Sequence, residues 1–162
     1  MRGVCQRSLR LWLGNNFKRL YRKVYTGKFL NLNSLKQDEI IMRIEKISKN
    51  GLDVAHVIAD EVIIKDLQSA TDMMMGVRYE TGIKNIAISK DLFADGFFIL
   101  SSGLAGEILQ KFVNYRFRIA VYGDYSKYTS KPLKDFIYES NKGRDIFFTD
   151  NLEIAVEKLT KS

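Results

Sequence analysis

One cysteine, one proline and one histidine stand in this 162-residue chain, and each scarcity removes a class of structure. Cys5 has no second cysteine to pair with, so no disulfide framework exists. With His56 as the sole histidine and no cysteine beyond residue 5, zinc and transition-metal sites of ordinary composition are excluded. A Cys–His nucleophile pair is excluded for the same reason. No apolar run approaches the roughly 20 residues that a membrane-spanning helix needs. No clean apolar stretch near the N-terminus is followed by small residues, so a secretory signal is not expected. Walker and dinucleotide glycine fingerprints and the Gly-x-Ser-x-Gly elbow are also missing. No motif dictates a reaction, and there is no internal repeat or low-complexity tract.

What is present begins with charge. The formal net charge is +7, and its placement decides its meaning. Residues 1–41 hold nine Lys or Arg and two Asp or Glu, a surplus of seven. In residues 42–162, 26 − 9 leaves 17 basic and 19 − 2 leaves 17 acidic residues, a net charge of zero. Residues 42–162 therefore have no bulk electrostatic case for binding nucleic acid. The basic leader mixes Leu9, Leu11, Trp12, Leu13, Phe17, Leu20 and Tyr21 with dense Arg and Lys. Three readings compete for it: an amphipathic helix on an anionic surface, an organellar transit peptide, or upstream sequence ahead of a true start at Met42. Charge balance and periodicity both change at Ile41-Met42. We therefore expect residues 1–41 to lie outside the fold and residues 42–162 to form one domain.

Within 42–162 the pattern alternates between strand and helix. Arg43 to Ser48 alternates apolar and charged residues, as does the stretch around Val54 and Val57. Between them Asn50-Gly51 suits a type I′ hairpin turn. Val62-Ile63-Ile64 reads as a third short strand. Asp66 can cap a helix whose Leu67, Ala70, Met73, Met74 and Val77 repeat at helical spacing, with Gly82 ending it. Asn85–Ser89 reads as a buried parallel strand. A helix over Gly103–Asn114 and a strand over Phe117–Tyr122 follow. Thr129 or Ser130 opens the next helix, with Pro132 in its first turn and Gly143 at its end. Asp145–Thr149 is the last strand, and Asp150 or Asn151 caps a closing helix. The order β-β-β-α-β-α-β-α-β-α predicts an α/β domain with a four- to five-stranded mixed sheet and covering helices.

Few residues can carry chemistry. His56 alternates with Ala55 and Val57 on a strand, which suits a structural imidazole. Asp91, Asp95, Asp124 and Glu107 could pair for acid–base work, although a surface role is the default for each. The segment Ser101-Ser102-Gly103-Leu104 stands out, because a hydroxyl at a helix N-cap accepts a backbone N–H. The same unpaired amides and helix dipole would favour a phosphate there, which makes a phosphorylation switch or an anion pocket conceivable. Gly123-Asp124-Tyr125-Ser126-Lys127-Tyr128 falls at the end of the adjacent strand, where open sheets place ligands and partners, with Ser130 and Lys131 beyond.

In these segments the chain resembles the bacterial family named domain of unknown function 4180. The similarity spans 42–162. It is densest in Val77–Gly82, Gly103–Phe112, Gly123–Ser130 and Lys134–Gly143, and the leader has no counterpart in it. A more distant likeness is to STAS domains, the fold of anti-sigma-factor antagonists. There an Asp-Ser-Ser-Gly-Leu segment opens a helix, and a serine in that turn is phosphorylated. Ser101-Ser102-Gly103-Leu104 is the matching segment here, with Leu100 in place of the acidic residue and Gly96 and Ile99 where related chains tend to be acidic.

The resemblance implies a STAS-like, non-enzymatic regulatory or protein-binding module, with serine phosphorylation as its switch. The expected surface comprises Ser101, Ser102, Gly103, Asp124, Tyr125, Lys127, Tyr128, Ser130 and Lys131. A protein partner is expected, with no metal, no cofactor, no nucleic acid through 42–162 and no membrane span. The lack of a disulfide framework fits a reducing cytoplasm, the expected compartment. The alternative is a binder of a small anionic ligand at 124–131, or an enzyme acting on one, with Asp124 as the base.

Overall fold

The computed structural model describes residues 21–24, 28–31 and 42–161, in two compact units divided after Arg43. In the first unit β1 (Tyr21–Val24) and β2 (Lys28–Asn31) form an antiparallel hairpin, with Tyr21 opposite Asn31 and Val24 opposite Lys28. The rest of the leader, with the readings that fall on it, lies outside the described residues.

The second unit is an α/β domain built on five strands. These are β3 (Met42–Lys49), β4 (Leu52–Ala59), β5 (Asn85–Ser89), β6 (Arg118–Tyr122) and β7 (Ile146–Thr149), side by side in chain order. Asn50 and Gly51 both take positive φ, 54° and 74°, as a type I′ turn requires. A two-residue turn of this kind can only join antiparallel strands, so β3 runs against β4. From β4 onward every pairing is parallel, with His56 beside Ala87, Ala87 beside Ala120, and Ala120 beside Phe147.

Four helices accompany the sheet: α1 (Leu67–Thr81), α2 (Leu104–Asn114), α3 (Lys131–Lys142) and α4 (Leu152–Thr160). Their ends follow local chemistry. Asp66 and Ser69 form a reciprocal capping box on α1, and Gly82 closes it in the left-handed region. Ser130 caps α3 and Asn151 caps α4. The run Val62–Ile64 does not become a strand. It contributes one bridge, Ile64 to Phe93, because only a few residues separate the Asp60-Glu61 turn from the α1 cap. Its backbone pairs instead with the segment after β5, through Ile64 N–H to Leu92 O at 2.9 Å and Ala94 N–H to Ile64 O at 2.8 Å.

Parallel strands in chain order need right-handed crossovers, which send α1, α2 and α3 to the same face of the sheet. That face carries buried Ala55, Val57, Ile86, Ile88, Ile119, Val121 and Phe148. The opposite face is left to α4. There Val54, Ala87, Ala120 and Phe147 pack against Ala155, Val156 and Leu159. Alanine at positions 87 and 120 lets the short helix sit close to the central strands.

Arg118, at the start of β6 on this face, ties α4 down. Its Nε donates to Arg144 O at 2.8 Å, Nη1 to Leu159 O at 2.8 Å and Nη2 to Lys158 O at 3.2 Å. Its guanidinium also stands 5.6 Å from the Phe147 ring centroid. A cation satisfying the last carbonyls of a helix meets both their missing partners and the helix dipole. Replacing Arg118 with Met keeps the stem and removes these bonds. The expected loss is about 2–4 kcal/mol in urea denaturation, with faster amide exchange first in α4. Unchanged exchange in α4 would show that apolar packing alone holds it.

Candidate functional site

The candidate site lies where β5 and β6 end and the chain turns toward α2 and α3. After β5, Ser89 accepts the Asp91 N–H at 3.2 Å and starts the first of three 3-10 turns, over 90–92, 95–98 and 100–102. These turns bury Phe93, Phe97 and Phe98 while leaving Ile99 56% exposed. Phe93 and Phe97 have ring centroids 4.4 Å apart, and Phe97 and Phe98 5.0 Å apart.

Ser101, Ser102 and Gly103 are all exposed, as an interaction surface requires, but their local roles differ from the expected ones. The helix begins at Leu104, and its N-cap is Gly103 at φ 75°, which offers no side-chain oxygen. Only a residue without Cβ takes that left-handed conformation cheaply, so glycine displaces serine from the cap. The Gly103 N–H already donates to Leu100 O at 3.1 Å, and the Leu104 N–H to Ser102 Oγ at 3.2 Å. The amides expected to form an open anion rim are thus partly satisfied within the turn. Ser102 Oγ also donates to Gly96 O at 2.9 Å, which pins the turns together. Among the described residues the Ser101 hydroxyl has no hydrogen-bond partner.

The 124–131 loop is organised from below by aromatic rings. Tyr125 donates its hydroxyl to Val121 O at 2.9 Å. Its ring lies 5.9 Å from Phe148 and 6.3 Å from Phe98. Burial pushes the Tyr125 phenol far above its ordinary range, with Tyr128, Asp150 and Asp91 adding to the rise. Tyr128 rests on Phe98 at 4.9 Å and donates its amide to Tyr125 O at 3.0 Å. Asp124 is exposed and accepts the Ser126 N–H at 2.8 Å in an Asx turn. That backbone bond, aided by the Ser126 hydroxyl and by Lys90 and Lys127, holds its carboxyl below the usual range. Ser130 Oγ accepts the Leu133 N–H at 3.4 Å. Lys131 pairs with Asp135 at 3.0 Å on the open surface, while Lys127 is exposed.

Two groupings have no signature in the sequence. Lys90 is only 17% exposed in its side chain, lies 5.7 Å from the Tyr128 ring centroid and pairs with Asp91 at 3.1 Å. Its stem crosses Gly123, where a Cβ would come within 2.7 Å of Lys90 Cγ and Cδ. A glycine directly after a strand is the visible signal, but nothing in the sequence names the side chain it seats. The second grouping is on the other face. His56 is 8% exposed, and its Nε2 lies 2.8 Å from the Tyr122 hydroxyl, reaching past Ala87. Glu45 Oε2 stands 4.0 Å from its Nδ1. Burial, and secondarily Asp91, raises the Tyr122 phenol.

A carboxylate held ionised and phenols held protonated can bind and orient, but they are poorly poised to exchange protons near neutral pH. Among the described residues no three His, Cys, Asp or Glu side chains are grouped to hold a metal. No helix among them is long and apolar enough to cross a membrane.

Two outcomes follow from this geometry. Gly123 has φ 150°, so Gly123→Ala both strains the backbone and expels Lys90. It should cost about 1–3 kcal/mol by chemical denaturation. Adding Lys90→Ala should return only the steric part, and full additivity would refute the contact. The second outcome concerns pH. Folding favours the protonated Tyr125 phenol, so the unfolded chain releases this proton first as pH passes 10.0, and stability falls above that value. Tyr125→Phe should flatten this alkaline fall while losing about 0.5–1.5 kcal/mol at neutral pH. An equally steep fall in the variant would place the responsible group elsewhere.

Comparison with known proteins adds one match. A family model described as Domain of unknown function (DUF4180) matches residues 49–159. None of the curated proteins matches the chain. The matched span runs from the last residue of β3 into the last turn of α4 and takes in both candidate segments. Since it covers well over half of the 162 residues, the chain belongs to the family described as Domain of unknown function (DUF4180).

Proposed function

We propose that residues 42–162 form a non-enzymatic binding module of the cytoplasm that engages a protein partner through the 99–104 turn, the start of α2 and the 124–131 loop. The observation that carries this reading is Ile99. A large apolar residue stays 56% exposed on a turn held by the Ile99, Ser102 and Gly103 amides and the Ser102 hydroxyl. A preorganised apolar knob binds without a large ordering cost. The alternative, a small anionic ligand, meets less support in the charges. Lys131 is answered by Asp135, and Lys90 pairs with Asp91 and also favours the Asp124 carboxylate.

Regulation by phosphorylation fits Ser101 better than Ser102. The Ser102 hydroxyl donates to Gly96 O, a bond that a phosphate would abolish, whereas the Ser101 hydroxyl is unengaged. A phosphate on Ser101 would add nearly two negative charges beside the first turn of α2 and change which partner surfaces fit.

Gly106 sharpens the test. It is exposed inside α2, and a Cβ there would meet nothing within 4 Å, so the fold itself gives no reason for glycine. Gly106→Ala should stabilise the domain by about 0.5–1 kcal/mol. With a photo-crosslinker at the exposed position 127 in native-host extract, a protein partner should be captured by the parent domain. Capture should fall at least tenfold with Ile99→Asp or Gly106→Ala, persist with Lys131→Ala, and change with Ser101→Asp. Equal capture by all variants, or none by the parent, defeats the reading.

A further inference from the structure

The two candidate segments are far apart in sequence, yet both rest on the same side chain. Phe98 touches Tyr128 at a centroid distance of 4.9 Å and Tyr125 at 6.3 Å. It also meets Phe93 at 6.2 Å and Phe97 at 5.0 Å. Beyond the loop the rings continue from Tyr125 to Phe148 and from Phe148 to Phe136 in α3, at 5.9 and 5.7 Å. Two residues before Phe98, the Gly96 carbonyl receives the Ser102 hydroxyl. Neither segment belongs to a regular helix or strand, so ring packing and a few turn hydrogen bonds supply their order.

We propose that residues 95–103 and 124–128 open and close as one cooperative unit, with Phe98 as the positioning residue that couples them. The physical reason is shared burial. Lifting Tyr125 and Tyr128 exposes Phe98, and lifting the 95–98 turn removes the surface on which both tyrosines lie. Aromatic contacts of this kind are worth more than their area alone, so half of the cluster is a poor partner for the rest. Local opening in proteins proceeds in such contiguous units. This builds on the proposed binding surface, since it makes two separate segments behave as one epitope. A partner seated on the 99–103 turn would then add the same protection to the 124–128 loop as to the turn itself, because both open in one event.

Hydrogen exchange on the free domain tests the coupling without any partner. Four hydrogen-bonded amides report on it: Ile99 to Gly96 O, Ser102 to Ile99 O and Gly103 to Leu100 O on one side, and Tyr128 to Tyr125 O on the other. In the parent protein their opening should share one dependence on denaturant. Tyr128→Ala, which removes a half-buried ring, should accelerate exchange at Ser102 and Gly103 at least tenfold while leaving Ala87 and Ala120 in the sheet unchanged. Phe98→Leu should accelerate both sides by similar factors. If Tyr128→Ala speeds only its own loop, the coupling is refuted, whether or not Phe98→Leu folds. Loss of partner capture with preserved coupling would instead count against the binding surface alone.

Discussion

Four parallel strands present two apolar faces to water, and everything else in this domain follows from covering both. Chain-order connectivity commits three crossover helices to one face. The other face must be sealed by α4, a helix of nine residues. A helix that short spans only about 13 Å, so it succeeds by approaching closely. Ala87 and Ala120 permit the approach, and the Arg118 guanidinium holds the far end by its carbonyls. Edge strand β7 is managed in a similar way. Asn141 reaches back from α3 to bond both the N–H and the carbonyl of Phe148, at 2.8 and 2.9 Å, leaving less of that edge to recruit another strand.

This arrangement sends the long connections to the C-terminal ends of the strands. The segment from Lys90 to Gly103 crosses from β5 to α2 without forming a regular element, and it is ordered by three turns and three phenylalanines. The loop after β6 lies against the same rings. Lys90 completes the junction by running over Gly123. The result is a surface of anchored loops, with Ile99 and Ser101 outward and the aromatic rings beneath. On that surface hydrogen bonding holds the Asp124 carboxyl low, while burial holds the Tyr125 phenol high.

Much of this is legible from local chemistry. Asn50-Gly51, the Asp66 cap, the Gly82 stop, Pro132 after Ser130 and the Asn151 cap act through the backbone of a few neighbouring residues, so short stretches suffice to read them. Asn85–Ser89 is readable as a buried strand because both faces demand apolar side chains. Where the sequence misleads, the deciding partner is distant along the chain. Val62–Ile64 has the composition of a strand but lacks the length, and it finds its bonds with Leu92 and Ala94. Ser102 has the composition of a cap but bonds Gly96, and Gly103 takes the cap position in a conformation that favours glycine.

The amino-acid order alone determined the class of the domain, most helix ends and the neutrality of residues 42–162. These depend on composition or on contacts a few residues long. Only the tertiary structure decided that Arg118 would clamp α4, that Lys90 would lie across Gly123, and that Phe98 would carry both candidate segments. Each of these joins residues separated by a helix or a strand. Such a contact is set by the register of parallel strands and the packing of side chains across them, which no short window of sequence contains.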